Sequence, residues 1–364
     1  MEEEPCHKKL KLDESVGKYV IITNYIDKIQ NSLNNLKAIV SDDLTKPVEM
    51  INMHAGCVKQ RKDISKVITI LNEKLPLTGF QHLKRVRGET VIICPTELIN
   101  SVPIEEYVEK FVPELMASFQ DFIVIQVPKC PLKLKRQYAE INRIWSCNFH
   151  PDTYLEKLTG DNFFSEKEVK VHRLYMSLAL QIAIWYYKTI ELEVLTDDIF
   201  ASLNVTVIID PSIDSVVAIG IDNSMIHPVQ HSTMIAIDNV AKTQNGGAWN
   251  SEIKKTDDCV EKGLFDYLKV KFPKINIGAK KYLNKEDLIN DDRTPSEGPY
   301  LCTNYYVYML REPCLMCAMA LVHARAKRVF FCFDKTDTGA LRSQLKLHTV
   351  SSLNHHYEAF TCFL

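Results

Sequence analysis

The chain of 364 residues is 46% hydrophobic and 25% charged, and its formal net charge is −2. This length favours two domains, each large enough to bury an ordinary core. The absence of a long uninterrupted apolar run argues against a membrane span. Because the total charge is close to neutral, nucleic-acid binding would have to depend on local basic patches.

Cysteine usage and the N-terminus both argue against a secreted protein. The 11 cysteines are scattered and odd in number, which favours free thiols or metal ligands in a reducing compartment. Residues 1–5 are acidic and lack the apolar core of a signal peptide. The basic stretch at residues 7–12 has two interpretations, a nuclear signal or a solvated tail. We expect residues 1–46 to form a partly disordered tail with a helix over residues 18–40.

The first folded region, residues 47–160, alternates short strand patterns with helical ones. The predicted elements are a strand at 48–53, a helix within 58–74, strands at 81–86 and 90–94 around a turn at 87–89, a helix at 103–119 and a strand at 121–127. The order β-α-β-β-α-β is typical of a ferredoxin-like fold. We therefore predict an α+β ferredoxin-like domain here.

Two basic clusters stand out in this region, and they are the candidate RNA-binding residues: Lys84, Arg85 and Arg87 in the first, and Lys133, Lys135 and Arg136 in the second. Such runs are commonly solvated faces. Alternation along an exposed strand would instead place several charges on one face, where each phosphate contact adds salt-dependent affinity.

The second folded region, residues 163–364, predicts a layered α/β domain around a central sheet. The predicted elements are a helix at 166–188, strands at 204–210 and 216–222, a helix at 234–242, a strand at 301–310, a helix at 315–326 and a strand at 328–333. The first helix carries an apolar stripe of Leu174, Leu178, Ile182 and Trp185. Residues 243–299 are polar and are predicted to be an insertion containing a short helix at 260–270.

A candidate metal site is split between two helix starts. Cys314 and Cys317 lie three residues apart after a proline, so both thiols can face one point, and a helix N-terminus favours the thiolate. A single C-x-x-C can also be two buried cysteines. His231 directly precedes a helical run and is the predicted third ligand, whereas His227 is followed by Pro228 and is predicted to lie in a loop.

Zinc nucleobase deaminases carry such a cage together with a glutamate two residues after the ligand histidine. Thr233 occupies that place here, and Val229 occupies the corresponding place after His227. Neither side chain exchanges protons near neutral pH, and a positioned general acid–base is worth roughly 10²–10⁴ in rate. The sequence thus predicts a Zn²⁺ cage without its proton shuttle.

With these residues assembled, the second region resembles the tRNA adenosine deaminase family, and the missing glutamate resembles the non-catalytic subunit of its eukaryotic heterodimers. The matching stretches are residues 228–234, 312–325, 328–330 and 337–341, and further likeness to that subunit lies at 81–87, 136–150, 299–303 and 353–357. The resemblance covers about residues 48–150 and 165–360, without the insertion.

The resemblance implies a cytidine-deaminase-like domain with zinc on His231, Cys314 and Cys317. It implies a catalytic partner subunit that supplies the glutamate, and a heterodimer that hydrolyses adenosine to inosine at the tRNA wobble position. The chain alone would be inactive, and its first region would grip the tRNA body. We expect such a protein in nucleus and cytoplasm, without membrane association.

Two other hypotheses stay open. One is a self-sufficient deaminase that uses Glu312 or Asp222 as a substitute carboxylate. The other is a zinc-stabilised RNA-binding module. The fourth zinc position also has alternatives: water, or the C-terminal tail through Cys362 or the carboxylate of Leu364. That tail could equally pack at the partner interface.

Overall fold

The computed structural model describes residues 36–99, 102–189, 204–249, 255–280 and 299–361. They belong to two compact units, Ser41–Gly160 and a second that combines Met1–Val40 with Asp161–Leu364. The expectations for residues 1–35, including the stretch at 7–12, lie outside the described residues. None of the described helices is long and apolar enough to cross a membrane. Among the described residues, eight cysteines are free thiols: Cys57, Cys94, Cys130, Cys147, Cys302, Cys314, Cys317 and Cys332.

The strands are, in chain order, β1 (Lys37–Ile39), β2 (Met50–Val58), β3 (Val86–Arg87), β4 (Thr90–Pro95), β5 (Phe119–Pro128), β6 (Val205–Asp210), β7 (Ser215–Ile221), β8 (Asn276–Ile277), β9 (Tyr306–Arg311), β10 (Arg328–Phe333) and β11 (Glu358–Thr361). The α-helices are α1 (Asp42–Thr45), α2 (Ile64–Lys74), α3 (Thr96–Ile99), α4 (Ile104–Phe111), α5 (Lys135–Ile141), α6 (Thr153–Leu158), α7 (Glu166–Thr189), α8 (Ser232–Thr243), α9 (Lys255–Lys271) and α10 (Leu315–His323).

The Ser41–Gly160 unit is built on an antiparallel sheet of order β3-β4-β2-β5. The long strand β2 pairs with both β4 and β5, so it lies inside the sheet. A core under one face includes Val67 and Leu71 of α2 and Val108 of α4, all fully buried. Elements β2, α2, β3, β4, α4 and β5 occur in the predicted β-α-β-β-α-β order, with the short helix α3 inserted between β4 and α4.

Two predicted elements of this unit are wrong in extent. The strand expected at 81–86 is limited to β3, because the backbone of Lys84 donates to Ser146 and that of Asn148 donates to His82 instead of joining the sheet. The helix expected at 103–119 ends at Phe111. A 3₁₀ turn, Pro113–Ser118, follows, since Pro113 has no amide hydrogen with which to continue α4.

The larger unit is an α/β structure on a mixed sheet of order β1-β11-β10-β9-β6-β7-β8. Strands β9, β10 and β11 are parallel, while β6 is antiparallel to both β7 and β9. Val307 and Met309 of β9 join the apolar core that includes Ala236 of α8 and Leu321 of α10. Because side chains alternate along a strand, Tyr308 points to the other face, where it meets α7 through His172.

The helix predicted at 166–188 is confirmed as α7, but its buried stripe is shifted. Leu178 and Ile182 are fully buried as predicted, whereas Leu174 is 40% exposed and Tyr175 is buried in its place. Tyr175 packs against Tyr308 in a tilted arrangement, with ring centroids 5.4 Å apart. The aromatic side chains of β9 and β10 thus select the face of α7 that is buried.

Both ends of the larger unit depart from prediction. Residues 37–39 form β1 rather than part of a helix, since β1 pairs antiparallel with β11. Glu358–Thr361 is strand β11, hydrogen-bonded between β10 and β1, and is therefore not a free tail. Part of the expected insertion is also integrated, because β8 pairs in parallel with β7 at the edge of the sheet.

Two boundaries near the metal motifs also differ. The strand predicted from residue 301 begins at Tyr306, because residues 301–304 form turns in which Leu301 and Asn304 have φ of 44° and 69°. The helix predicted to reach residue 326 ends at His323, and Arg325 has a left-handed φ of 59°. A bulky residue in that region cannot extend a helix.

Candidate metal centre

Two helix N-termini meet at one edge of the larger sheet. His231 is the N-cap of α8, Cys314 is the N-cap of α10, and Cys317 lies in the first turn of α10. Strands β7 and β9 are both antiparallel to β6, so their carboxyl ends lie at the same sheet edge. The two helices that follow them therefore begin side by side.

A glycine allows α8 to lie directly on β7. A Cβ on Gly220 would overlap the carbonyl oxygen of Ser232 and would lie 2.6 Å from the amide nitrogen of Ala236. Asp222 then anchors the helix, because its Oδ2 accepts the Ser232 amide at 3.2 Å. A carboxylate is favourable at a helix N-terminus. These contacts fix where His231 projects.

The three predicted ligands come together. His231 Nδ1 lies 3.6 Å from Cys314 Sγ and 3.5 Å from Cys317 Sγ. The three ligand atoms all lie within 4.8 Å of one another. In a tetrahedral zinc site, Zn–N bonds of about 2.1 Å and Zn–S bonds of about 2.3 Å place N and S about 3.6 Å apart. Both the donor set and the spacing fit zinc.

The two thiols are electrostatically unequal. The pKa of Cys314 is lowered to about 5, first because Cys317 donates a hydrogen bond to it and also because His231 lies nearby. The pKa of Cys317 is raised, because its thiol donates a hydrogen bond to Cys314 and because Cys317 is buried. One thiolate is thus already favoured, and a bound cation would favour the second.

Thr233 lies beside this cluster and is 2% exposed. Its Oγ1 is 3.3 Å from Thr206 Oγ1, which in turn is 2.9 Å from Ser232 Oγ. Its hydroxyl also makes a hydrogen bond with Cys317. Thr233 therefore occupies the place of the deaminase glutamate with a hydroxyl that is already hydrogen-bonded, and its side chain has no group that titrates near neutral pH.

The two substitute carboxylates are already engaged. Glu312 is 1% exposed, and its oxygens accept the backbone amides of Leu341, Arg342 and Ser343 at 2.5–2.9 Å and that of Lys335 at 3.1 Å. Asp222 accepts Ser232 N–H with one oxygen and both the amide and the hydroxyl of Ser224 with the other. Both carboxylates organise backbone, which counts against a self-sufficient deaminase.

His227 lies outside the cluster. Its side chain is exposed, its Nδ1 accepts the Val229 amide at 3.4 Å, and its ring is 6.3 Å from that of Trp249. The proposed plug by Cys362 or Leu364 lies outside the described residues, which end at Thr361 in strand β11.

The basic side chains of the smaller unit are used unequally. Arg85 is turned inward: it donates to the carbonyls of Ile92 at 3.1 Å and Leu75 at 2.7 Å and to Asn72 Oδ1 at 2.7 Å. Its burial lowers the guanidinium pKa to about 10. Arg136 likewise donates to the carbonyl of Leu44. A cluster of basic residues in the sequence does not indicate which of them bind backbone carbonyls of their own unit, so these internal hydrogen bonds could not be predicted.

Arg136 is nevertheless exposed, as are Lys84, Lys133 and Lys135, whereas Arg87 is half-buried. Arg87 donates one N–H to the Arg143 carbonyl at 2.7 Å, and Lys133 pairs with Asp43 at 2.6 Å. A cavity of about 630 Å³ in this unit is lined by Arg87 together with apolar side chains such as Ile123 and Ile125.

Comparison with known proteins bears directly on this site. No family model matches the chain. A Danio rerio protein named probable inactive tRNA-specific adenosine deaminase-like protein 3 is 29% identical over 340 residues, covering 88% of this chain and 89% of the relative. The tRNA-specific adenosine deaminase subunit tad3 of Schizosaccharomyces pombe is 25% identical over 338 residues, covering 89% and 88%. The chain is thus similar over most of its length to proteins named as tRNA-specific adenosine deaminase subunits or as inactive members of that group.

The similarity to both relatives extends over nearly the whole of each chain and is not limited to the metal motifs. A solved structure from work on A-to-I editing by tRNA:A34 deaminases at the wobble position covers 51% of this chain and 95% of its own at 15% identity. Its TM-score of 0.29 is too low to support a structural argument.

Proposed function

We propose that the chain is the non-catalytic, zinc-binding subunit of a heterodimeric tRNA deaminase that converts adenosine to inosine at the wobble position. One observation carries the proposal. His231, Cys314 and Cys317 converge as a metal cage, while the acid–base position beside them holds Thr233. The names of two relatives support the same conclusion, since the Danio rerio protein is called probable inactive and the Schizosaccharomyces pombe protein is called a subunit.

The cage has a structural use in the absence of catalysis. When bound, zinc would supply a tetrahedral crosslink between the starts of α8 and α10. His231 and Cys314 would hold it from the two N-caps, and Cys317 would hold it from within the first turn of α10. The edge of the sheet that carries both helices would then be rigid enough to support a partner subunit.

Proton transfer must come from elsewhere. Hydrolytic deamination requires a group that takes a proton from the attacking water and returns it to the leaving amine. Thr233 cannot do this, and Glu312 and Asp222 are held by backbone amides. A catalytic partner subunit that carries the glutamate meets this need, and this chain would complete the partner's site.

The smaller unit supports a role in holding tRNA. Its strand order, β3-β4-β2-β5, and its β-α-β-β-α-β succession support a ferredoxin-like assignment. Of the six candidate basic residues, Lys84 and Lys135 have exposed side chains and Arg87 retains donors beyond its one bond. These three are better phosphate contacts than Arg85, whose guanidinium is held by internal acceptors, and Arg136 is exposed with one bond to the Leu44 carbonyl.

A reconstitution assay tests the proposal. Wobble-adenosine tRNA is incubated with this chain alone, with the catalytic subunit alone, and with both. We expect at least tenfold more inosine with both chains than with either chain alone. Robust turnover by this chain alone would contradict the proposal. Binding of tRNA without any gain in deamination would favour the zinc-stabilised RNA-binding module instead.

The matched control removes the partner's glutamate rather than anything in this chain. If the cage of this chain is only structural, that replacement abolishes turnover while the two chains still co-purify. Residual turnover would mean that this chain contributes its own proton-transfer group.

A further inference from the structure

A buried carboxylate two residues before Cys314 has a set of partners that the proposed function does not use. Glu312 follows the end of β9 and is 1% exposed. Its Oε1 accepts three successive amides, and its Oε2 accepts one amide and one hydroxyl: Leu341 at 2.9 Å, Arg342 at 2.5 Å and Ser343 at 2.9 Å on the first, Lys335 at 3.1 Å and the Ser343 hydroxyl on the second.

This arrangement is a binding site for negative charge made from neutral donors. Successive backbone N–H groups that point to one atom form an anion-binding concavity. Hydrogen bonds to a charged acceptor are stronger than those between neutral groups. The loop at residues 335–343 is therefore folded around the carboxylate of Glu312. A glutamine in its place would direct its own NH₂ group at backbone N–H groups of the loop, so donors would face donors.

The same loop also contacts the backbone at Cys314, whose sulfur is a candidate metal ligand. The amide of Ala340 donates to the carbonyl of Pro313 at 2.9 Å, and Cys314 forms an isolated antiparallel bridge with Gly339. Gly339 has no room for a side chain, because a Cβ there would overlap Glu312 Oε2 and would lie 2.6 Å from the Lys335 carbonyl oxygen. Glu312, the loop and Cys314 thus form one packed unit.

We propose that Glu312 is a positioning residue of the candidate metal centre, and that it acts through the 335–343 loop on Cys314. The loop holds the backbone of Cys314 on one side, and α10 holds it on the other. Together they place Cys314 Sγ 3.6 Å from His231 Nδ1. Where it concerns the metal, this inference rests on the proposed zinc-binding function.

The test uses the full chain and Co²⁺, whose absorption reports thiolate ligation and geometry. Replacement of partners beyond the ligands typically costs 10–100-fold in metal affinity. We therefore expect Glu312→Gln to bind Co²⁺ about 10–100-fold more weakly, with an altered absorption spectrum, while unfolding stays cooperative. Gly339→Ala displaces the same loop from its other side and should produce the same spectral change.

A second carboxylate of the chain supplies the matched control. Glu358 pairs with Arg328 at 2.7 Å at the opposite end of the parallel strands, remote from Cys314 along β10. Glu358→Gln should leave both Co²⁺ affinity and spectrum unchanged. Unchanged affinity and spectrum in both Glu312→Gln and Gly339→Ala would overturn the proposal.

Two further measurements keep the outcome decisive. If Glu312→Gln does not fold, Glu312→Asp retains the charge at a shorter reach and should give an intermediate loss of affinity. If the unmodified chain binds no Co²⁺, the proposed metal site fails, but amide exchange still tests Glu312. Leu341, Arg342 and Ser343 should exchange at least tenfold faster in Glu312→Gln, and unchanged exchange would reject the role.

Discussion

The candidate metal centre and the basic clusters rest on sequence motifs of similar length, yet the structure uses them differently. Cys314 and Cys317 lie 83 and 86 residues after His231, and all three ligand atoms still meet. Arg85 and Arg136 stand beside exposed lysines in sequence, but both guanidinium groups bind backbone carbonyls of their own unit.

The difference lies in what determines the direction of each side chain. Short residues at a helix start have their direction set by the backbone, so a C-x-x-C after proline and a histidine before a helix constrain geometry directly. A long arginine side chain can reach solvent or an internal carbonyl from the same Cα position. A cluster of charged residues in the sequence therefore does not show which side chains can contact a ligand, and only the fold shows this.

The largest effect is expected from removing one ligand. Cys317→Ser should reduce the zinc content of the purified full chain from one equivalent to less than a tenth, because serine is a poor zinc ligand. It should also destabilise the larger unit by several kcal/mol, since structural zinc contributes on the order of 10–16 kcal/mol in small modules. Elemental analysis and denaturant unfolding measure the two quantities.

The control for that experiment is a cysteine from the smaller unit. Cys130 is exposed and free, so Cys130→Ser should retain both zinc and stability. An equal loss of zinc in the two variants would show that the metal is held elsewhere.

The next effect sharpens the contrast within the basic clusters. Arg85→Ala leaves the carbonyls of Ile92 and Leu75 without their donors, and hydrogen bonds to charged groups are worth about 1.5–3 kcal/mol each. We expect the smaller unit to lose about 3 kcal/mol in urea unfolding. Lys84→Ala, an exposed neighbour, should change stability by less than about 0.5 kcal/mol.

For tRNA binding, we expect the larger effect from Lys84→Ala and the smaller effect from Arg85→Ala. Under conditions where both variants are folded, Lys84→Ala should reduce the salt dependence of tRNA binding, because a phosphate contact is lost. Arg85→Ala should leave that dependence unchanged. The reverse result would return Arg85 to the binding surface.

Acid should affect the larger unit more than the smaller one. The pKa of His172 is lowered from 6.5 to about 4, chiefly by burial and also by the charge of Arg328. As pH falls below 6.5, the unfolded chain takes up this proton while the folded chain does not. The free energy of unfolding should therefore fall between pH 6.5 and 4, by up to roughly 3 kcal/mol, and level off below that range.

His172→Gln should flatten this part of the pH profile, whereas His323→Gln, at an exposed position, should not. The pKa of His54 in the smaller unit is also lowered by burial, but that residue is only half-buried, so its contribution should be smaller. An identical pH profile in His172→Gln would assign the acid sensitivity to other groups.

Sequence reasoning predicts the elements whose signals are local. Helix α7 and strand β10 have strong periodicity, and they appear close to where periodicity places them. Strands β1 and β11 gave no such signal, since each is short and is held by pairing with residues distant in sequence, β11 with β10 and β1 with β11. The inward turn of Arg85 and the amides around Glu312 depend in the same way on distant backbone.

The smallest effect concerns Thr233, and it tests whether the centre is a structural copy of an active site. Thr233→Val keeps the shape and removes a hydroxyl that lies 3.3 Å from Thr206 Oγ1, at a cost of about 1 kcal/mol in unfolding free energy. Because Thr206 keeps its bond to Ser232, the helix start should stay in place. Heterodimer turnover should therefore change by less than about twofold, the range expected when no transition-state contact is lost. A drop of a hundredfold in single-turnover deamination, with zinc content and assembly intact, would instead place the Thr233 hydroxyl in the chemistry and end the contrast between a metal cage and a catalytic site.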